Sequence, residues 1–249
     1  MKYLFSILLL AILPVVLSPS AAFAMHISEG ILPFSWALFW FIVSAPFLAL
    51  GLRTLARRSE TDLSSKPLVG MVAAMVFVIS CMPIPVPMAG TCSHPCGTGL
   101  AAILLGPTLG VVVAAVALLI QALFLSHGGL STWGANLFSM GVMGSFAGYS
   151  VFRGLRLTGL GVVASAFAAG LMADWATYAG TAMIMAAGIR GTAPFWPLAG
   201  KIILAFVPTQ LPLGIVEGTI TAGMVSLLKK KRPDLLARTA LSGIREVER

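Results

Sequence analysis

The chain has 249 residues, of which 58% are hydrophobic and only 10% are charged. A soluble domain carries about 25% charged residues, so this composition excludes an ordinary soluble protein and predicts a single integral membrane domain. The net charge of +8 does not indicate nucleic-acid binding, because the basic residues cluster beside apolar segments, as is typical of cytoplasmic loops.

The start of the chain is typical of a cleaved signal peptide. Lys2 precedes an apolar stretch at residues 4–17, and Ala22-Phe23-Ala24 forms a small-x-small cleavage site. Cleavage after Ala24 would leave Met25 as the new N-terminus and His26 as the second residue. We therefore expect a leader at residues 1–24 and one transmembrane metal-binding domain at residues 25–249.

Apolar segments follow the leader, and a helix needs about 20 mostly apolar residues to span a bilayer. The segments lie at about 34–52, 68–82, 98–126, 134–152, 159–188 and 198–228. The basic clusters are expected in loops or after the last segment: Arg53, Arg57, Arg58 and Lys66, then Arg153 and Arg156, then Lys229 to Arg232.

Leader cleavage and charge bias together predict the side on which each loop lies. Cleavage places Met25 outside, and the basic 53–67 loop is inside, so 34–52 crosses inward and 68–82 returns. The 83–97 loop, with His94, is then on the same outer side as His26.

The third segment has to dip in and return if Arg153 is to lie inside. We expect a break at Gly106-Pro107, with a half-spanning first arm, which would put His127 outside as well. The predicted fold is an all-α, multi-pass membrane protein of about seven transmembrane helices, with its N-terminus outside and its C-terminus cytoplasmic.

The predicted N-terminus is a ready chelator. The amine of Met25, the amide nitrogen of His26 and the Nδ1 of His26 would close a five-membered and a six-membered ring around one ion. Planar nitrogen sets favour nickel or copper over zinc among late divalent metals. Because His94 is predicted on the same side, we expect it to supply the fourth nitrogen, rather than to be a hydrogen-bonded loop histidine.

Other polar residues allow more than one interpretation. His127 is either a ligand, a partner of a ligand, a residue on the path of the ion, or a packed histidine. Asn136, Thr132 and Ser93 are candidates to fix the second nitrogen of a ligating histidine.

The three cysteines are too few for a disulfide scaffold. Cys92 and Cys96 would either form a disulfide, offer sulfur to a metal, or have an incidental structural role. Cys81 is expected to be a small hydrophobe in a helix.

Two acids, Asp174 and Glu217, lie in apolar segments, where ionisable residues are costly. Asp174 could pair with a basic or hydroxyl group inside the bundle, and Glu217, near the inner end of the last segment, could face a partner protein. A helix-packing role and a transport role stay open for both. The small residues of 161–173 allow close helix packing, either within the bundle or with a membrane partner. The sequence has no phosphate loop, dinucleotide fingerprint or His-Glu-x-x-His pair, so energy for uptake would come from partners or an ion gradient.

Four long motifs resemble the CbiM/NikM family, the substrate-capturing S components of energy-coupling-factor cobalt and nickel transporters. They are Met-His-Ile-x-Glu-Gly-x-Leu-Pro at 25–33, Cys-Ser-His-Pro-x-Gly-x-Gly-Leu-x-x-Ile-Leu-x-Gly-Pro at 92–107, Gln-Ala-Leu-x-Leu-x-His-Gly-Gly-Leu-x-Thr-x-Gly-Ala-Asn at 121–136, and Pro-Thr-Gln-Leu-Pro-Leu-x-Ile-Val-Glu-Gly at 208–218.

The resemblance implies a seven-helix protein of the cell (inner) membrane that binds a divalent metal through Met25, His26 and His94. It also implies a small membrane subunit, a transmembrane coupling subunit and ATP-binding subunits as partners. The chain itself would not be an enzyme. The Met-His-x-x-Glu-Gly opening resembles the cobalt branch, since the nickel branch more often has Asp where Glu29 stands.

The expected function is therefore capture of Co(II) as transported substrate, without an organic cofactor, for cobalamin synthesis. A nickel-specific S component is the alternative of the same class. Two alternatives come from other classes: a membrane thiol-disulfide oxidoreductase using Cys92 and Cys96, and a non-transporting assembly protein.

Overall fold

Helices dominate the part of the chain that the computed structural model describes, which is residues 23–24, 26–81, 84–86 and 91–238. Most of the predicted leader and the predicted ligand Met25 lie outside the described residues. The helices are α1 (Phe34–Thr61), α2 (Ser65–Ser80), α3 (Thr98–Leu105), α4 (Pro107–Phe124), α5 (Trp133–Asn136), a π-helix (Leu137–Gly144), α6 (Ser145–Leu157), α7 (Val162–Ile189), α8 (Phe195–Lys231) and α9 (Pro233–Arg238).

Four of these helices, α1, α4, α7 and α8, are long and apolar enough to cross a membrane. Large apolar side chains such as Phe34, Ile42 and Leu204 are exposed on them, as expected for surfaces that face lipid. The shorter α2 has 16 residues and α3 has eight. The count of seven membrane elements and the sides of the two termini therefore stay predictions.

The third apolar segment is broken where the sequence predicts. Gly106 separates α3 from α4 with φ of +91°, a backbone conformation that favours glycine, and Pro107 begins α4, where a missing N–H costs nothing. A Cβ added to Gly110 would lie 3.7 Å from the Cα of Ala102, so the two helices fold back on each other. All residues of α3 are buried, and its length of about 12 Å is less than half of a bilayer core of about 30 Å.

The basic clusters lie on helices, which corrects their prediction as loops. Helix α1 continues through Arg53, Arg57 and Arg58 until Thr61, and Arg153 and Arg156 lie on α6. Hydropathy marks only the part of a helix that fits in lipid. The backbone hydrogen bonds continue until a residue leaves the helical conformation, as Asp62 does with φ of −140°.

The predicted all-α class is confirmed by the helices, beside which a small sheet precedes α3. Strand β1 (Phe23–Ala24) pairs parallel to β3 (Thr91–Ser93), and β2 (Ile84–Val86) pairs antiparallel to it, in the order β1-β3-β2. Proline in this segment removes N–H donors that a helix needs, so the chain is extended here. Strand β3 leads directly into His94.

Small residues bring α3, α6 and α7 into close contact. A Cβ added to Gly99 would lie 2.9 Å from the Cβ of Ala173, and one added to Gly148 would lie 3.1 Å from the Cα of Gly99. Ala166, Ala169 and Ala173 are buried. The small residues of 161–173 therefore pack within the bundle, against α3, the helix that follows the His94 loop.

Candidate metal site

Three histidines from distant parts of the chain form one cluster. The ring centroids of His26 and His94 are 4.9 Å apart, those of His26 and His127 are 4.9 Å apart, and those of His94 and His127 are 5.0 Å apart. One ligand nitrogen from each ring lies within 4.8 Å of the others. The predicted meeting of His26 and His94 is therefore observed, and His127 lies beside them.

Hydrogen bonds fix which ring nitrogens are protonated. The Nδ1 of His94 lies 3.0 Å from the carbonyl oxygen of Pro95 and has to donate to it, which leaves Nε2 unprotonated, 3.2 Å from the Nε2 of His26. The Nε2 of His26 lies 3.1 Å from Gln121 Oε1. Because Gln121 uses its Nε2 to donate to Ser80, its Oε1 accepts from His26, and His26 Nδ1 is the unprotonated nitrogen.

Gln121 is a site residue for which the sequence analysis predicted no role. It is buried, 1% exposed, on an otherwise apolar α4. The sequence contained an indication of this role, because a single amide side chain inside an apolar membrane segment needs hydrogen-bond partners there. Its contact sets the tautomer that an N-terminal chelate through His26 Nδ1 would require.

Burial keeps the rings neutral. Loss of water lowers the pKa of His94 to about 3, with a further contribution from His127. Burial, and then the neighbouring rings of His94 and His127, holds the pKa of His26 well below its usual value of 6.5. Neutral imidazole is the form that binds metal, so both rings are ready ligands at neutral pH.

These shifts predict a pH dependence of stability. In the unfolded chain each ring binds a proton as pH falls below 6.5, whereas the buried rings do not, so the metal-free protein loses stability as pH falls. Each ring contributes up to about 1.4 kcal/mol per pH unit. We expect the thermal midpoint of the metal-free protein to fall between pH 7 and pH 5, and to fall less steeply in His94→Asn. Equal slopes would contradict the assignment.

The loop after α4 holds the segment that carries His26. The N–H of Ile27 donates to Asn136 Oδ1 at 2.8 Å, and its carbonyl accepts from Thr132 Oγ1 at 2.5 Å and from Asn136 Nδ2 at 3.1 Å. The N–H of Ser131 donates to Glu29 Oε2 at 3.1 Å. The expectation that Asn136 and Thr132 fix a histidine ring is corrected, since they bind the adjacent backbone.

Two glycines allow this close approach. A Cβ on Gly128, which has φ of +81°, would lie 3.2 Å from His26 Cβ. A Cβ on Gly129 would lie 2.8 Å from both the Cα and the N of Glu29, too close for the backbone to stay in place. Because glycine has no side chain, the His26 segment can pack directly against the backbone of the loop at these two positions.

We expect Gly129→Ala to push this segment away from the loop. The affinity of the histidine cluster for a divalent metal should fall by about tenfold or more, as for loss of residues that orient ligands. Isothermal titration of the purified protein measures this change. Gly154→Ala is the matched control, because nothing lies within 4 Å of its added Cβ; similar affinities for the two variants would refute the expectation.

The His94 loop is held from its other side by Glu217. Its two carboxyl oxygens accept from the N–H of Cys96 at 2.5 Å and of Gly97 at 2.9 Å. Glu217 is 1% exposed, so of the roles left open for it the structure favours packing inside the bundle over contact with a partner protein. Ser93, expected to contact a ligand ring, instead accepts from Gln210 Nε2 at 2.5 Å.

Cys96 gives no support to thiol chemistry. Cys96 is a free, buried thiol that lies 3.9 Å from Asp174 Oδ1. Burial, followed by the nearby carboxyl groups of Glu217 and Asp174, holds the pKa of Cys96 well above its usual value. Reactive cysteines have lowered pKa values and some exposure, so Cys96 has the character of a structural thiol. The side chain of Cys92 lies outside the described residues.

Comparison with known proteins gives one consistent result. The family model CbiM, described as the cobalt uptake substrate-specific transmembrane region, matches residues 26–235. The chain is 66% identical over 228 residues to the cobalt transport protein CbiM of Geobacter sulfurreducens, which covers 92% of this chain and 66% of that protein. This chain therefore spans about two thirds of that relative. It is 54% identical to the cobalt transport protein CbiM of Sorangium cellulosum, covering 86% of this chain and 95% of the relative.

The fold also matches a solved structure. The crystal structure of a truncated transition metal transporter superposes with a TM-score of 0.72 and 29% identity, covering 82% of this chain and 98% of that one. With its apolar helices, the chain is a multi-pass membrane protein. The match of the family model to most of its length shows that it belongs to the CbiM family.

Proposed function

We propose that this chain is the substrate-capturing S component of an energy-coupling-factor transporter that imports Co(II) and supplies cobalamin synthesis. Two relatives, 66% and 54% identical, are named cobalt transport proteins. The observation that carries the proposal is the contact of two neutral rings, His26 and His94, 3.2 Å apart at their Nε2 atoms. Each retains an unprotonated nitrogen for a metal.

Capture would begin with cleavage of residues 1–24, which frees the amine of Met25. That amine, with the amide nitrogen and Nδ1 of His26, encloses the ion, and His94 Nε2 supplies the fourth nitrogen. Gln121 keeps His26 in the required tautomer, while Asn136 and Thr132 hold Ile27 so that the chelating residues lie at the bundle.

Release would depend on partners. The chain carries no phosphate-loop motif, so ATP hydrolysis belongs to paired ATP-binding subunits. A small membrane subunit and a transmembrane coupling subunit complete the proposed complex. Reorientation of the bundle by these partners would expose the ion to the cytoplasm.

The leader provides the sharpest test. We would purify the protein, sequence its N-terminus and measure bound metal in the same sample, after growth with cobalt and nickel together. The proposal expects Met25 as the first residue and cobalt as the bound metal. If the bound metal is nickel rather than cobalt, the same ligands support the alternative of a nickel-specific S component.

A leader-retaining variant isolates the role of the amine. Ala24→Leu replaces the small side chain that a signal peptidase needs, and should abolish cobalt retention and uptake. Ala21→Ser, which leaves the small-x-small site intact, is the control. Full uptake by a carrier that keeps its leader would refute the chelate.

A further inference from the structure

His127 differs from the other two rings in its exposure. His26 is 3% exposed and His94 is fully buried, whereas His127 is half-buried. Yet the Nε2 of His127 is buried and has no hydrogen-bond partner among the described residues. Buried polar atoms normally have partners, so an unpaired ring nitrogen beside two neutral imidazoles indicates a position for a ligand.

A cavity leads to this ring. It has a volume of about 200 Å³ and is lined by Ser80, Cys81, Gln121, Leu125 and His127. Leu125 is 50% exposed and Cys81 is half-buried, so the cavity reaches the surface. We call it the access cavity. Its wall includes His127, which belongs to the histidine cluster, and Gln121, which contacts His26, whereas His26 and His94 are not among the lining residues.

We propose that His127 is the receiving ligand of the site: an ion arriving through the access cavity binds His127 first and is held by His127, His26 and His94 before the N-terminal chelate closes. The inference rests on the proposed function, because the receiving site precedes the chelate.

The chemistry of this step is ligand exchange. Three imidazoles and one water form a four-coordinate set that divalent metals accept, and the hydrated ion loses its other waters as the rings bind. When the Met25 amine and the His26 amide nitrogen bind, they displace the last water and His127, and the protons lost by the Met25 ammonium and the His26 amide pass to water. His127 therefore contributes to the rate of capture and not to the final complex.

The test separates rate from equilibrium. Co(II) is mixed rapidly with the purified, processed protein and binding is followed by cobalt absorbance, while affinity is measured separately. In His127→Ala we expect the association rate to fall by about tenfold with a dissociation constant changed by less than about threefold. Leu125→Ala, in the same cavity but without a ligand atom, should bind at the original rate.

Three outcomes would overturn the proposal: an unchanged association rate in His127→Ala, a weakened affinity at an unchanged rate, or equal slowing in Leu125→Ala. A second measurement avoids dependence on folding of the variant. A methanethiosulfonate reagent attached to Cys81 should slow cobalt association in the native protein and have no such effect in Cys81→Ser. If modification of Cys81 leaves the rate unchanged, the access cavity is not the path.

The proposed function and the receiving role of His127 can be refuted independently of each other. If His94→Ala and His26→Ala bind cobalt normally, the chelate itself is wrong, whatever His127 does. If both variants lose binding while His127→Ala associates at the original rate, only the receiving role of His127 is lost.

Discussion

His94→Ala is expected to abolish high-affinity cobalt uptake while the protein still inserts in the membrane. His94 is fully buried, and its unprotonated Nε2 faces His26. Loss of one of four nitrogens should weaken binding by about 100-fold, equivalent to about 2.7 kcal/mol. Uptake of radioactive cobalt by cells and titration of the purified protein measure the two effects.

Cys96→Ser is the matched control for this variant. Cys96 lies in the same buried loop, two positions after His94, and its thiol contacts Asp174 and Thr177. Metal uptake should persist in Cys96→Ser, which would also exclude the thiol oxidoreductase interpretation. Normal uptake in His94→Ala, or loss of uptake in both variants, would contradict the ligand role.

The meeting of His26 with His94 was predictable because it depends on the sides of the membrane. The expected cleavage after Ala24 and the basic residues after 52 predict that both histidines lie on one side, and this expectation needed no knowledge of helix packing. The break at Gly106-Pro107 was predictable for a similar reason, since parity of crossings and local glycine-proline chemistry point to the same residue.

The orientation of each ring was not predictable from the sequence. Gln121 reaches His26 across 95 positions of sequence, and nothing in local pattern states which amide meets which ring. Asn136 and Thr132 were expected near the site and are near it, but they bind the backbone of Ile27. Composition indicates that polar groups will pair, whereas only tertiary packing decides with which partner.

The contacts of Glu217 were also not predictable from the sequence. Counting along the apolar segment placed it near the inner end of α8, where a partner protein would be met. The count did not include the contact of the His94 loop with α8, where Glu217 accepts from the N–H groups of Cys96 and Gly97. The loop reaches the middle of α8, and Glu217 is its anchor.

Glu217→Ala is accordingly expected to weaken cobalt binding although Glu217 is not a proposed ligand. The substitution leaves the N–H groups of Cys96 and Gly97 buried without acceptors, at a cost of about 1–3 kcal/mol each. The released loop no longer holds His94 against His26, so affinity should fall by about 10–100-fold, as for other residues that orient ligands. Glu217→Gln keeps one acceptor oxygen and should lose less of both stability and affinity.

Two measurements distinguish this positioning role from general destabilisation. Thermal unfolding of the metal-free protein gives the loss of stability, and cobalt titration well below the midpoint gives the affinity of the folded protein. Thr219→Ala is the control, because Thr219 lies on the same helix, exposed, and bonds only to the Ile215 carbonyl. An unchanged cobalt affinity in folded Glu217→Ala would contradict the positioning role of Glu217. It would mean that packing of α3 against α7 is enough to hold His94 in place.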